Sequence, residues 1–172
     1  MESGNGRKMQ KPKPTKQPKK HKTAKVKKLD PDYFFSLCVR ERADWTCQCC
    51  GKKYEPWTGV NGQPANPGLH CSHYIGRANY ATRFDPLNVF AHCYYCHSKF
   101  EGNPHVFREW VLEKLGQTKY DILIEKSQNL MLGKQARQEK QQIAEFYKSQ
   151  FDTMQESRQR ITFGRIPFEG YL

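Results

Sequence analysis

Cys47-Gln48-Cys49-Cys50 and Cys93-Tyr94-Tyr95-Cys96 are the two stretches whose reading decides the fold of this chain. Each contains a C-x2-C pair, and two residues between thiols let a tight knuckle aim both sulfurs at one ion. Two such pairs supply four thiolates, the tetrahedral set of a structural zinc site. Cys49 competes with Cys50 for the first pair, and the C-x2-C spacing favours Cys50. The 42 residues between the pairs exceed what a simple zinc ribbon needs, so the metal is expected to clip an insertion. Zinc bound in this way contributes an apparent ~10 to 16 kcal/mol, which a small apolar core does not easily replace. Cys38 and Cys71, outside both pairs, read as core thiols.

Working outward, residues Trp45 to His97 are rich in Gly, Cys, His and aromatics and show no long helical period, which predicts short strands and loops. Glu55 to Gly68, with three glycines and three prolines, reads as a surface loop. Upstream, Asp30-Pro31 is a helix start, and Tyr33, Phe34, Leu37, Cys38 and Glu41 fall at helical spacing up to about Ala43. Downstream, Asn103-Pro104 restarts helix, with Val106, Phe107, Trp110, Val111 and Leu115 on one face and Gly116 as its stop. A shorter helix is predicted from Thr118 to about Gln128. Ala136, Ile143, Tyr147, Phe151 and Met154 then predict one long amphipathic helix from Lys134 to about Arg158, suited either to the core or to a partner helix. The last dozen residues read as irregular. The expected class is α+β, with a zinc-containing unit over 29–130 and a helix with an irregular tail over 131–172.

The net charge of +12 is unevenly placed. Residues 1–28 hold eleven Lys/Arg and one acid, whereas the other 144 residues hold 18 basic and 16 acidic side chains. A segment this polar cannot bury enough apolar surface to offset the entropy of ordering, so 1–28 reads as a disordered basic tail. A polycation seeks a polyanion, most often nucleic acid, and Lys19, Lys20, Lys27 and Lys28 are its densest candidates for DNA contact. Mean hydropathy is −0.91, and no apolar run approaches the roughly 20 residues of a membrane span. No membrane partner is expected. The opening Met-Glu-Ser-Gly-Asn lacks an apolar signal core, which points to the cytoplasm and to reduced cysteines.

Between the two cysteine pairs lies a second set of polar residues: His70, Ser72 and His73, then Arg83, Asp85 and Asn88, then His92 and His97. A hydrolytic nuclease must activate a water, hold a divalent cation against the scissile phosphate and stabilise the leaving oxygen. One neutral imidazole can take the proton and a second can hold the metal. His73 and His97, with Asn88 between them, are the candidates, while His21 and His105 read as solvent-facing. Arg77 and Arg83 could each grip phosphate through the guanidinium fork or serve as structural ion-pair partners.

The order C-x2-C, His followed by an aromatic, Asn, then C-x2-C-H resembles the HNH, or His-Me finger, endonucleases. Within them, CSHYIGRANYATRFDPLNVFAHCYYCHSKFEGNP over residues 71–104 is similar to the phage NinG/Rap recombination nucleases, a likeness that extends over about 100 residues from the LDPDYFFSLCVRERADWTCQCCG segment to the FREWVLEKLGQ helix. The resemblance implies two antiparallel strands and a helix around one catalytic metal. It makes His73 the general base, Asn88 the brace of the loop that aims it, and His97 a ligand of a catalytic Mg or Mn. Ser72 stands where many HNH enzymes have a second metal ligand, which leaves His70 as the candidate for that role. His97 itself stands where many NinG-like proteins have Asn. Imidazole favours Mn, Co or Ni over Mg more than an amide does. The implied activity is endonucleolytic cleavage of branched DNA such as Holliday junctions or D-loops by a phage-encoded protein in its bacterial host cell. A homodimer through the C-terminal helix would suit a two-strand cut. Two readings of other classes stand beside it: a non-catalytic zinc module that binds nucleic acid through its tail, and an RNA-directed zinc protein that stacks bases on Tyr94, Tyr95 and Trp57.

Overall fold

A computed structural model describes residues 29–58, 64–65, 68–160 and 163–172; the basic segment 1–28, and with it Lys19, Lys20, Lys27 and Lys28, lies outside them. Helix α1 spans Pro31–Arg42. Its start is fixed by the Asp30 carboxylate, which accepts the Asp32 N–H at 3.0 Å, and by proline in the first turn. Within the expected loop, Trp57–Thr58 (β1) pairs antiparallel with Pro64–Ala65 (β2), while the side chain of Trp57 lies outside the description. Strand β3, Leu69–His73, pairs antiparallel with β4, Val89–Cys93, in a register that sets Leu69 opposite Cys93 and His73 opposite Val89. A 3-10 turn over Pro86–Asn88 leads into β4, and helix α2, Tyr94–Glu101, follows it without a linker. Helices α3 (Pro104–Leu115), α4 (Gln117–Ser127), α5 (Leu130–Gln138) and α6 (Lys140–Arg160) follow among the described residues. The class is α+β.

The predicted long C-terminal helix is two helices, broken at Glu139. α5 packs its Gly133 against Ala81, whereas α6 lies along α1, so the chain must change direction between them. The apolar stripe of α6 (Ile143, Ala144, Tyr147, Phe151 and Met154) is buried against Phe35, Leu37 and Cys38 of α1. Ala136, Ile143, Tyr147, Phe151, Met154, Ile166 and Phe168 therefore belong to the main core. That apolar face is spent within the chain, which removes it as the surface for a partner's helix. A second, aromatic core of Phe90, Phe100, Phe107, Val111 and Tyr120 lies under α2, α3 and α4.

Charged residues at the end of α1 are buried because distant segments satisfy them. Glu41, 2% exposed, accepts from Trp45 Nε1 at 2.9 Å, Gln155 Nε2 at 2.8 Å and Arg158 Nε at 2.6 Å. Arg40 donates through Nε to the Leu69 carbonyl at 2.8 Å and so ties α1 to the start of β3. Among the described residues, no helix is long and apolar enough to cross a membrane.

Candidate functional site

The four cysteines of the two pairs meet. The Sγ atoms of Cys47, Cys50, Cys93 and Cys96 all lie within 4.8 Å of one another. A tetrahedron with metal–sulfur bonds of about 2.3 Å has edges of about 3.8 Å. The Cys50 and Cys93 sulfurs are 3.8 Å apart. Local chain geometry builds the cage from both sides. Cys47 N–H donates to the Lys52 carbonyl at 2.8 Å and Gly51 N–H to the Cys47 carbonyl at 2.9 Å. Gly51 takes φ +74°, which a side chain would strain, and so closes the knuckle tightly. On the other side Cys93 caps α2, its sulfur 3.5 Å from the Cys96 N–H.

Four clustered sulfurs are a donor set that suits a cation. Burial pushes the Cys93 thiol up, but the Cys96 N–H and the surrounding thiols outweigh it and bring it down to about 7. Burial and the neighbouring sulfurs push the Cys96 thiol up. Four thiolates this close repel unless a positive ion sits among them, and the donor set and spacing fit a metal such as zinc. Cys49 is not part of the cluster.

The histidines gather elsewhere on the same unit. A cleft of about 460 Å³ opens between α1 and α2 and is lined by His70 and His73 of β3, His97 and Glu101 of α2, and Asp32 and Arg40 of α1, with Arg77 at its margin. Three residues apart on a strand, His70 and His73 leave opposite faces. Both nevertheless line the one cleft, and β3 pairs with β4 alone among the described residues. The rings of His70 and His97 stack with centroids 5.1 Å apart and planes at 14°, and His97 Nδ1 lies 3.6 Å from Glu101 Oε2. Outside the four cysteines, no three ligand-type side chains converge within 4.8 Å among the described residues.

His73 is held from behind. Its Nε2 is 2.9 Å from the Arg83 carbonyl, and because a carbonyl only accepts, this bond places the proton on Nε2 and the lone pair on Nδ1. Burial depresses the His73 pKa, with the Arg83 and Cys71 backbone opposing it and the Arg77 charge reinforcing it. Burial likewise depresses His70, reinforced by the adjacent His97. Asn88, fully buried, clamps the loop that follows β3. Its Oδ1 accepts the Ile75 N–H at 2.7 Å, and its Nδ2 donates to the carbonyls of Ile75 and Thr82, each at 2.9 Å.

The remaining residues singled out in the sequence divide. Arg77 is exposed at the cleft. Arg83 is engaged: Nε and Nη2 grip Asp32 at 3.0 and 2.6 Å, and the guanidinium lies over Tyr80. His92, opposite His70 in the sheet, is buried among Phe90, Phe100, Phe107 and Trp110 and takes no part in the cleft. Asp32, Arg40 and Glu101 were not anticipated. For Glu101 the signal was its i,i+4 spacing from His97 on α2; for Asp32 and Arg40 the sequence carried none, because both meet the cleft only through the docking of α1. No family model, curated protein or solved structure matches the chain.

Proposed function

We propose that the chain is a metal-dependent endonuclease that hydrolyses phosphodiester bonds in DNA. The observation that carries this reading is the convergence of His70, His73, His97 and Arg77 on one open cleft beside a four-cysteine cage that can hold the unit rigid. His73 Nδ1 takes the proton of the attacking water. The Arg83 carbonyl keeps the opposite ring nitrogen protonated, and Asn88 fixes the loop that carries that carbonyl. Arg77 offers its guanidinium to a phosphate oxygen. His97 and His70 are the residues that would hold a catalytic divalent cation, which supplies charge stabilisation at the phosphate and the leaving oxygen. A pair of protein ligands is enough for Mg or Mn, because such ions keep waters and take substrate phosphates as further ligands. Residues 1–28, at +10, supply sequence-independent attraction to the backbone. Branched recombination intermediates are the proposed substrate on the likeness of residues 71–104 to the NinG/Rap nucleases.

One observation favours a second reading. Tyr94 and Tyr95 are 71% and 76% exposed at the start of α2, where bases of a single strand could stack. A cleavage panel on duplex, flap, D-loop, four-way junction and single-stranded RNA, each with Mg, Mn, Ni or chelator, separates the readings. Metal-dependent cutting of DNA, greatest on the branched forms, is expected. Binding without cleavage in every metal would replace the nuclease by a zinc-dependent binding module. Selective capture of single-stranded RNA would make it an RNA-binding one.

A further inference from the structure

Arg40 and Arg42 stand two residues apart on α1 and so face opposite sides of it. Arg40 lines the histidine cleft, and Arg42 lines a different groove of about 250 Å³ that shares no residue with the cleft. This groove is walled by the 3-10 turn before β4, the end of α3, the start of α4 and the segment 165–168. Its charged lining residues are Arg42, Lys114, Lys119 and Arg165, with no carboxylate among them. Outside residues 1–28 the chain carries 18 bases against 16 acids, so four bases and no acid in one groove is a local excess.

None of these charges is neutralised by a buried acid. Arg42 is 5% exposed; Nη1 and Nη2 donate to the carbonyls of Pro86 at 2.7 Å and Val89 at 2.6 Å, and Nε has no partner. Burial, and then the charge of Arg165, pull its pKa down to about 10. Asp85 is close by but committed, paired with Lys126 at 2.6 Å and accepting the Leu87 N–H at 2.8 Å. Lys114 pairs with the exposed Glu113 at 3.0 Å and lies over the Trp110 ring, 5.7 Å from its centroid. Lys119 and Arg165 have no ion pair or hydrogen bond among the described residues. Gln48, between two of the clustered cysteines, accepts the Ala91 N–H through Oε1 at 2.8 Å, which leaves both amide N–H donors unspent where it lines the groove. Like charges crowded this way repel, and an anion with several acceptor oxygens relieves them.

We propose that this groove binds the phosphate backbone of a duplex DNA arm, as a second contact separate from the cleft. Duplex DNA as the ligand rests on the proposed function; the anion chemistry of the groove does not. A Lys and Arg set with no carboxylate among its lining residues tracks a backbone without reading bases. The groove lies on the other side of α1 from the cleft, so an arm held there is not the strand being cut.

The test uses the full chain. Lys114→Gln, Lys119→Gln and Arg165→Gln are combined, leaving the buried Arg42 in place. A second triple, Lys134→Gln, Lys148→Gln and Arg160→Gln, removes the same charge from exposed helical positions elsewhere. Thermal unfolding and zinc content check that both fold. Fluorescence anisotropy with a labelled duplex and a four-way junction is followed across a salt series, with cleavage at saturating DNA alongside. The groove triple is expected to lower the slope of log K against log salt by roughly 2 to 3 units and to weaken binding near 0.15 M salt about 100-fold, at about 0.9 per lost phosphate contact. The control triple is expected to shift the slope by less than about 1 unit. Cleavage at saturating DNA should be unchanged. An unaltered slope, or equal shifts in both triples, overturns the groove site. Labelled polyglutamate is titrated in the same way, and equal loss of polyglutamate and DNA binding overturns its assignment to nucleic acid. A wild type that cuts nothing, but whose groove triple still loses slope, would sink the nuclease reading and leave the groove standing.

Discussion

The β3–β4–α2 unit presents two sets of ligand-type side chains and treats them in opposite ways. At the junction of the knuckle with α2, four sulfurs converge within 4.8 Å with backbone N–H groups turned to them. His70 and His73 of β3 and His97 of α2 line an open cleft without closing on a point. A closed, self-sufficient ligand set stabilises a fold and leaves no position for a substrate; an open one leaves room for water and phosphate. If that difference is real, the same kind of substitution must have opposite consequences in the two places.

The largest contrast is in stability. Cys93→Ser should release about one equivalent of metal and unfold the central unit, because the apparent ~10 to 16 kcal/mol of structural zinc exceeds the stability of most small domains. His97→Ala should keep that metal and the thermal transition while abolishing cleavage. Metal content and thermal unfolding of the two variants check both halves. Loss of the tightly bound metal in His97→Ala, with retention in Cys93→Ser, would reverse the assignment of the two regions.

The next effect is on rate. His73→Ala should slow cleavage by ~10² to 10⁴ with little change in DNA affinity, because a neutral imidazole adds no phosphate contact charge. Burial lowers the His73 pKa, so the working neutral form persists below the ordinary value of about 6.5. As pH falls through that lowered value the ring gains a proton and activity is lost. A single-turnover pH profile whose acid limb lies above about 6.5 would assign the titration to another group. Smaller again is the brace. Asn88→Ala removes three side-chain hydrogen bonds to backbone in a fully buried setting, and should cost roughly 2 to 4 kcal/mol of stability in urea unfolding. It should also slow cleavage, because the loop that carries the Arg83 carbonyl is released. A variant that loses stability but keeps full rate would separate Asn88 from the positioning of His73.

The two regions were unequally legible in the sequence. The sulfur cage was readable because C-x2-C spacing is a local geometric constraint, and Cys47, Cys50, Cys93 and Cys96 meet as that spacing predicts. Helix starts at Asp30-Pro31 and Asn103-Pro104 were readable for the same local reason. The walls of the cleft were not. Asp32 and Glu101 sit on helices where an acid reads as a solvated face, and the burial of Arg40 is not legible because its partner carbonyl, Leu69, lies 29 positions away. The break at Glu139 was hidden because Ala136 and Ile143 keep a helical spacing across it, with no Gly or Pro to mark it. Only the need of α6 to follow α1 reveals the turn.

The smallest contrast lies within the cleft, between two arginines that the sequence could not tell apart. Arg83 spends its guanidinium on Asp32 through Nε at 3.0 Å and Nη2 at 2.6 Å, and on the Arg77 carbonyl through Nη1 at 3.1 Å. Its pKa is raised by the Asp32 hydrogen bonds, as expected of a cation already matched to an anion. The Arg77 side chain has no ion pair or hydrogen bond among the described residues and lines the same cleft. A matched cation has no charge to give a phosphate, and an unmatched one does. Arg77→Gln should therefore lower the salt slope of DNA binding by about 0.9, while Arg83→Gln should leave the slope unchanged. Arg83→Gln should cost stability instead, by about 1 kcal/mol or less, because the pair is partly open to solvent. Anisotropy across a salt series and urea unfolding, run on both variants, read the two effects separately. A slope that follows Arg83 and ignores Arg77 would mean that DNA opens the Asp32 pair on binding, and that the cleft mouth rearranges around its substrate.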